Sequence, residues 1–301
     1  MNKVLKGFLI AACVCILLGI AVLVGVMASG GSAVVRDVMQ NGGVYWDNNG
    51  FHVGPDVIID YNDEDWAESI TNGKEHTVPV DGIEEVDIEL KAGVFRIVEG
   101  DTDEIIVRSS DEVAVFADND SISIETEDKN IIFGVGNDGQ NVEITLPKGH
   151  EFHTMEIEVA AGELDVDSLS AEEITLEAGA GIIEVDNLLC EKAVISVGAG
   201  EAIVKNGVAK DVDLDVGMGD FQFDGSIIGD LDADCGMGNM DITLTGAEND
   251  YDYQIDCGMG DVSIGNTSFG GMASSKEIDN DADAEFDLDC GMGSINIKFK
   301  D

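Results

Sequence analysis

Carboxylates recur at one fixed position in the second half of the chain, four residues before the last glycine of a Gly-x-Gly turn. These residues are Asp215, Asp234, Asp256 and Asp289. If the repeats stack as neighbouring strands about 4.8 Å apart, the four carboxylates repel one another. A divalent cation with oxygen ligands, such as Ca²⁺, would relieve that repulsion. The spacing therefore predicts a cation ladder at these aspartates, and a solvated acidic face is the competing interpretation.

Sulfur also recurs, in three Cys-Gly-Met-Gly runs that begin at Cys235, Cys257 and Cys290. Thiolate and thioether groups are soft ligands that select ions such as Cu(I). Earlier repeats, however, carry Ala or Val at the cysteine position and Ala at the methionine position. We therefore expect both residue types to fill the interior as apolar side chains, with disulfides between stacked cysteines as the alternative. The methionines concerned are Met218, Met237, Met259 and Met292.

Residues suited to catalysis are sparse. The histidines His52, His76, His150 and His153 lack a metal-ligand spacing such as HExxH, and the sequence has neither a G-x-S-x-G turn nor a phosphate-binding loop. Asp and Glu total 62 against 15 Lys and Arg, a formal net charge of -47, which argues against nucleic-acid binding through phosphates. We predict that the protein is not an enzyme. A carbohydrate-active β-helix enzyme is the alternative, because carboxylate pairs are abundant.

The elements that must position these residues follow from the spacing of the turns. The last glycines of five successive small-residue turns recur with a constant 19-residue period, and two further turns follow at longer intervals. These glycines are Gly162, Gly181, Gly200, Gly219, Gly238, Gly260 and Gly293. A 19-residue unit with two short strands cannot bury its own apolar face, so neighbouring units must stack. The longest insertion, before the last turn, falls in the polar stretch 268–283.

Apolar residues occupy the positions five and three residues before each of these glycines and four residues after it. Since side chains alternate along a strand, these three rows point inward and the aspartate row points outward. The pattern predicts an all-β, single-stranded parallel β-solenoid with 19-residue coils, each resting on the coil before it. Glycine is expected at the corners for positive φ or close backbone approach. Lys298 and Lys300 are expected to protect an exposed terminal strand.

Upstream of the repeat, short alternating segments between Ile88 and Leu146 read as strands. We assign residues 81–301 to the solenoid domain and residues 29–80, rich in Gly, Asn and Asp, to a spacer.

The amino terminus is apolar. Residues 8–28 contain no charge and are long enough to span a hydrocarbon core of about 30 Å as a helix. Lys3 and Lys6 precede this run, which places residues 1–7 in the cytoplasm and the remainder outside the cell. We predict a single-pass membrane anchor, and a cleaved signal peptide is the alternative.

The strand-turn-strand from Ile88 to Ile97, the Leu146-Pro147-Lys148-Gly149 break and the repeated strand, G-x-G, strand coils resemble the bacterial "putative adhesin" family of β-strand-repeat domains of unknown function. The resemblance covers about residues 83–300. It implies a surface-exposed β-solenoid and, in some relatives, a link to cell-envelope stress. It supplies no catalytic residues. We expect a membrane-tethered adhesion, binding or stress-related module whose partner is a cell-envelope protein or a cell-wall ligand. A cation-binding structural spacer is a further alternative.

Overall fold

The computed structural model describes residues 44–47, 50–53, 70, 73–126, 140–270 and 273–300. The predicted cytoplasmic tip 1–7 and membrane helix 8–28 lie outside these residues, as does most of the spacer. No helix within the described ranges is long and apolar enough to cross a membrane. The chain divides into two compact units, Met1–Asp60 and Tyr61–Asp301.

The first unit contains a two-stranded antiparallel hairpin. Its strands are β1 (Val44–Asp47) and β2 (Gly50–Val53), with Val44 opposite Val53 and Asp47 opposite Gly50.

Among the residues of the second unit that the structure describes, most lie in strands, and Glu248–Asp250 form a short 3-10 turn. Its first seven strands are β3 (Lys74–Pro79), β4 (Glu85–Gly100), β5 (Glu104–Ser109), β6 (Val113–Ala117), β7 (Ser121–Thr126), β8 (Gln140–Pro147) and β9 (Phe152–Val166). The repeat region supplies β10 (Leu169–Ala178), β11 (Ile182–Val185), β12 (Leu188–Val197), β13 (Glu201–Val216), β14 (Asp220–Ile227), β15 (Leu231–Cys235) and β16 (Asn239–Thr245). The last six are β17 (Tyr251–Cys257), β18 (Asp261–Ile264), β19 (Thr267–Gly270), β20 (Ser274–Ile278), β21 (Ala284–Cys290) and β22 (Ser294–Lys300).

The segments predicted as strands between Ile88 and Leu146 all fall within β4 to β8. The folded unit nevertheless starts before residue 81, since β3 pairs antiparallel with β5 along its whole length.

Parallel pairing between successive repeats confirms a β-solenoid-like stack. Leu176 of β10 pairs with Ile195 of β12, Ile195 with Leu214 of β13, and Leu214 with Ala233 of β15. Each step advances the chain by one 19-residue repeat, so the counted period is the register of the sheet. Every member of the three predicted inward rows is buried, with an exposed fraction of at most 4%. Stacked coils therefore enclose one continuous apolar core.

The final coil occupies a place that the sequence order does not predict. Strand β21 lies between β15 and β17, and β22 lies between β16 and β18, all in parallel register. The last coil in the sequence is thus the second from the end of the stack. The prediction that β22 is the terminal strand of the stack is therefore wrong. Lys298 and Lys300 lie beyond Ile297, the last residue of β22 that pairs with β18, and they pair with β16 alone.

Antiparallel strands cover the coils at both ends of the stack. Strands β19 and β20 pair with β18 and β17 at one end, and apart from Thr267 they lie within the stretch 268–283 that the sequence marks as a polar insertion. At the other end β5 and β6 pair with β8 and β7. There too the order is inverted, because β4 lies between the coil formed by β7 and β8 and the later strand β9. The stack is therefore parallel along its length and antiparallel only at its ends.

The corner glycines are required mainly by close backbone approach. Of the seven counted glycines only Gly162 has a positive φ, +122°. A Cβ added at Gly200 would lie 2.0 Å from the carbonyl oxygen of Gly181, and one at Gly219 would lie 2.3 Å from that of Gly200. Each corner glycine thus leaves space for the corner of the neighbouring coil.

Candidate functional site

The four predicted aspartates form one row across neighbouring coils. The order along the row is Asp215, Asp234, Asp289, Asp256, because β21 separates β15 from β17. A second row, two residues earlier in each strand, pairs Asp213 with Asp232 and Asp232 with Asp287. Since side chains two residues apart point to the same side of a strand, both rows share one surface. We call these seven aspartates the acidic face: Asp213, Asp215, Asp232, Asp234, Asp256, Asp287 and Asp289.

Partial burial and mutual repulsion act together on the centre of the acidic face. Burial raises the pKa of Asp289 to about 6, and the charges of Asp234, Asp256, Asp287 and Asp232 act in the same direction. Burial, with the charges of Asp232, Asp215 and Asp287, likewise raises the pKa of Asp234. No lysine or arginine forms an ion pair with these seven carboxylates in the ranges that the structure describes. The folded chain therefore holds negative charge that it does not neutralise itself.

Mild acidification should stabilise the protein. When folding raises the pKa of an aspartate, its negative charge destabilises the folded state at pH values above that raised pKa. As the pH falls through the raised pKa, the folded chain binds the proton and this destabilisation is removed. For Asp289 the window runs from the folded pKa of about 6 down to the ordinary value of 3.8. We expect the melting temperature to be higher at pH 5 than at pH 7.5, as measured by circular dichroism.

Two variants separate this effect from a general response to acid. Asp289→Asn should raise the melting temperature at pH 7.5 and flatten its dependence on pH. Asp211→Asn should lower it, because the Asp211 carboxylate accepts a hydrogen bond of 3.1 Å from the backbone N–H of Asp230 and its pKa is lowered. Variants that shift the melting temperature in the same direction would contradict the assignment.

The cation ladder stays a prediction. Among the described residues no group of three or more His, Cys, Asp or Glu side chains is arranged to hold a metal ion. The strand register brings the four predicted aspartates into one row, but their carboxylates do not converge on a point.

The cysteines lie inside the stack, as predicted. Cys235, Cys290 and Cys257 are adjacent in register, all are buried, and all are free thiols. The Cys235 Sγ lies 3.2 Å from the carbonyl oxygen of Gly238, and the Cys257 Sγ lies 3.4 Å from that of Phe269. Burial raises the pKa of Cys235 to about 12. Such thiols pack as small apolar groups and are poor nucleophiles.

The methionines are on the outside, and their assignment to the interior is wrong. The exposed fractions are 62% for Met218, 53% for Met237, 68% for Met259 and 54% for Met292. Each sits in the turn between two strands, where the alternation of inward and outward side chains along a strand does not hold. Comparison with Ala180 and Ala199 could not reveal this, since alanine fits an exposed corner as well as a core.

Two histidines near the start of the stack have structural partners. His150 Nε2 lies 2.9 Å from the carbonyl oxygen of Ile83, and His153 Nδ1 lies 2.7 Å from the Glu172 carboxylate. Neither contact involves a serine, threonine or cysteine that could act as a nucleophile.

Together these features define an acidic protein with a β-solenoid-like repeat, whose outer surface carries rows of carboxylates and thioethers. Residues 83–290 match the Toastrack family, DUF4097. The chain belongs to that family, which confirms the relationship predicted from the strand-turn-strand segment and the repeated coils.

Solved structures similar to this chain include a "putative cell adhesion protein" from Clostridium sporogenes, which is 15% identical over 76% of this chain and 100% of its own, with a TM-score of 0.31. A "putative adhesin" from Parabacteroides distasonis is 13% identical over 75% and 98%, with a TM-score of 0.43. A "putative lipid binding protein" from the same organism is 15% identical over 75% and 96%, with a TM-score of 0.40. No curated protein matches the chain.

Proposed function

We propose that this protein is a non-enzymatic binding module of the cell envelope, anchored in the membrane by residues 8–28 with its repeat domain outside the cell. The acidic face is the binding surface. The observation that carries the proposal is the set of seven in-register carboxylates without a basic partner among the described residues. Repulsion among these carboxylates raises the free energy of the folded protein. A ligand that neutralises them relieves this repulsion, and the free energy released contributes to its affinity.

The chemistry of the face selects a cationic ligand. Rows of carboxylates about 4.8 Å apart present a regular array of acceptors for ammonium and guanidinium groups. A basic segment of an envelope protein, or a cell-wall polymer that bears amines, fits this array. Attraction between exposed charges weakens as salt screens them, so the affinity should fall with ionic strength.

Neutralising the centre of the face tests the proposal. Full-length protein immobilised through its C-terminus should capture a basic ligand from envelope extracts, and Asp234→Asn/Asp289→Asn should reduce that capture about tenfold or more, which corresponds to the loss of two charge-assisted contacts. The matched control is Asp101→Asn/Asp103→Asn, which removes two exposed carboxylates from the turn between β4 and β5, on strands that do not carry the acidic face, and should leave capture unchanged.

Equal capture by both variants, or none by the unaltered protein, would contradict the proposed surface.

A separate experiment tests the predicted cation ladder. If the ladder binds Ca²⁺, millimolar Ca²⁺ should raise the melting temperature of the unaltered protein but not that of the Asp234→Asn/Asp289→Asn variant. Turnover of a polysaccharide by the purified protein would overturn the non-enzymatic assignment. Cell fractionation, with protease treatment of intact cells, checks the anchor and its orientation.

A further inference from the structure

Four exposed methionines form a continuous ladder along one corner of the stack. In the order of the coils they are Met218, Met237, Met292 and Met259. Each is more than half exposed, although methionine is an apolar residue that is more often buried. We call these four residues the methionine ladder.

The backbone fixes the rungs of the ladder. The N–H groups of Met237, Met292 and Met259 each donate to the carbonyl oxygen of a glycine in the neighbouring coil, at 2.7–2.8 Å. Such pairing holds successive backbones about 4.8 Å apart. The side chains start from a regular array, and each has three rotatable bonds that let its sulfur move toward its neighbour.

Closing the corner does not require a long side chain. The two preceding coils make the same turn with Ala180 and Ala199 at this position. The neighbouring row, one residue past the corner glycine, is polar: Asn239 Nδ2 donates to the Asp220 carboxylate at 2.7 Å, and Ser294 Oγ to Asn239 Oδ1 at 2.8 Å. Four consecutive thioethers beside such a row are unexplained by packing.

We propose that the methionine ladder is a binding site for soft monovalent cations of the Cu(I) class. Thioethers select Cu(I) over hard cations, and sulfurs from two or three adjacent rungs can converge on one ion. The negative charge of the chain, -47 in total, raises the local concentration of cations around the stack. Since a thioether is neutral, it binds without having to release a proton.

The buried cysteines do not compete for this role. Cys235 and Cys290 are only 3% and 2% exposed, so an ion bound at the exposed corner does not reach their sulfur atoms. Their side chains are buried in the core, whereas the thioethers are exposed at the corner. The ladder is therefore a site of methionine sulfur alone.

The test uses the full-length protein, with Cu(I) held by a chromogenic chelator under a reductant and without oxygen. We expect the protein to withdraw one or two ions per chain from the chelator. In a sample labelled at the methionine methyl groups, Ag(I), used as a redox-stable probe, should shift the resonances of the four ladder residues. The resonances of the buried Met155 and Met240 should stay in place.

Replacing sulfur while keeping an apolar side chain distinguishes a metal site from an apolar docking surface. Met237→Leu/Met292→Leu should weaken Cu(I) retention at least about tenfold, with an unchanged melting temperature. The control is Met155→Leu/Met240→Leu, which should retain Cu(I) as the unaltered protein does. Retention that is unaffected by the ladder variant, or that is lost in Cys235→Ser/Cys290→Ser while the ladder resonances do not move, would overturn the proposal.

Discussion

A chain that ends at Asp283 should fail to form the native stack. The missing coil, β21 and β22, lies between β15–β16 and β17–β18, so its removal deprives both neighbours of their parallel partners. It also removes the fully buried Phe286, Leu288, Ile295 and Ile297. Burial of four such side chains contributes roughly 6–12 kcal/mol, which is comparable with the whole stability of a typical domain, about 5–15 kcal/mol. We expect the cooperative melting transition to be lost and residues 251–283 to become sensitive to protease.

Hydrogen exchange on the intact protein checks the coil order without a deletion. Amides of β21 and β22 should exchange as slowly as those of β15 and β16, whereas amides of β19 and β20 at the end of the stack should exchange first. If the coils were stacked in sequence order, β22 would form an open edge and would exchange faster than β16. That result, or a truncated chain that still melts cooperatively, would contradict the inserted coil.

Gly238→Ala should strongly destabilise the stack. Its Cβ would lie 2.2 Å from the carbonyl oxygen of Gly219 and 2.6 Å from Val216 Cγ1, so two coils would have to move apart. Forced overpacking of this kind costs about 3 kcal/mol, or a fall in melting temperature of about 6–12 °C for a domain of this size. Urea unfolding with a fluorescence or circular dichroism readout measures the difference directly.

Gly217→Ala is the matched control, because it changes a glycine of the same kind of turn. The nearest atom to its Cβ would be the carbonyl oxygen of Gly198 at 3.0 Å, a contact that a shift of a few tenths of an ångström relieves. We expect a loss below about 1 kcal/mol. Equal losses of unfolding free energy in the two variants would mean that close backbone approach is not the reason glycine is required at the corner.

The sequence was informative wherever local alternation decides which way a side chain points. The rows that contain Leu214, Val216 and Phe223 were assigned to the interior from period-2 alternation, and they are buried. The 19-residue register could also be predicted, because each coil repeats the same pattern of inward, outward and glycine positions. Alternation fails inside the Gly-x-Gly turn, where the chain bends, and the exposed position of Met237 could not be predicted from it.

Coil order is a different kind of information. Strands β15, β17 and β21 carry nearly the same pattern of inward residues, so each fits beside either of the others. The choice depends on where the long polar segment 267–278 can pair, and this contact is non-local. Consequently the sequence predicted the acidic row correctly and placed Asp256 and Asp289 in the wrong order within it.

The covered ends have a consequence for how copies of this protein behave when they are concentrated. A stack of identical coils with open ends would act as a template, and each molecule could extend the sheet of the next. Here the outermost strands at one end are β19 and β20, which have only four and five residues, and β20 carries Lys276 and Glu277. Short charged edges of this kind discourage edge-to-edge addition. The number of coils in the stack is therefore fixed by a single chain. The repeat has the parallel stacking of a fibre, but its ends do not favour the addition of further molecules.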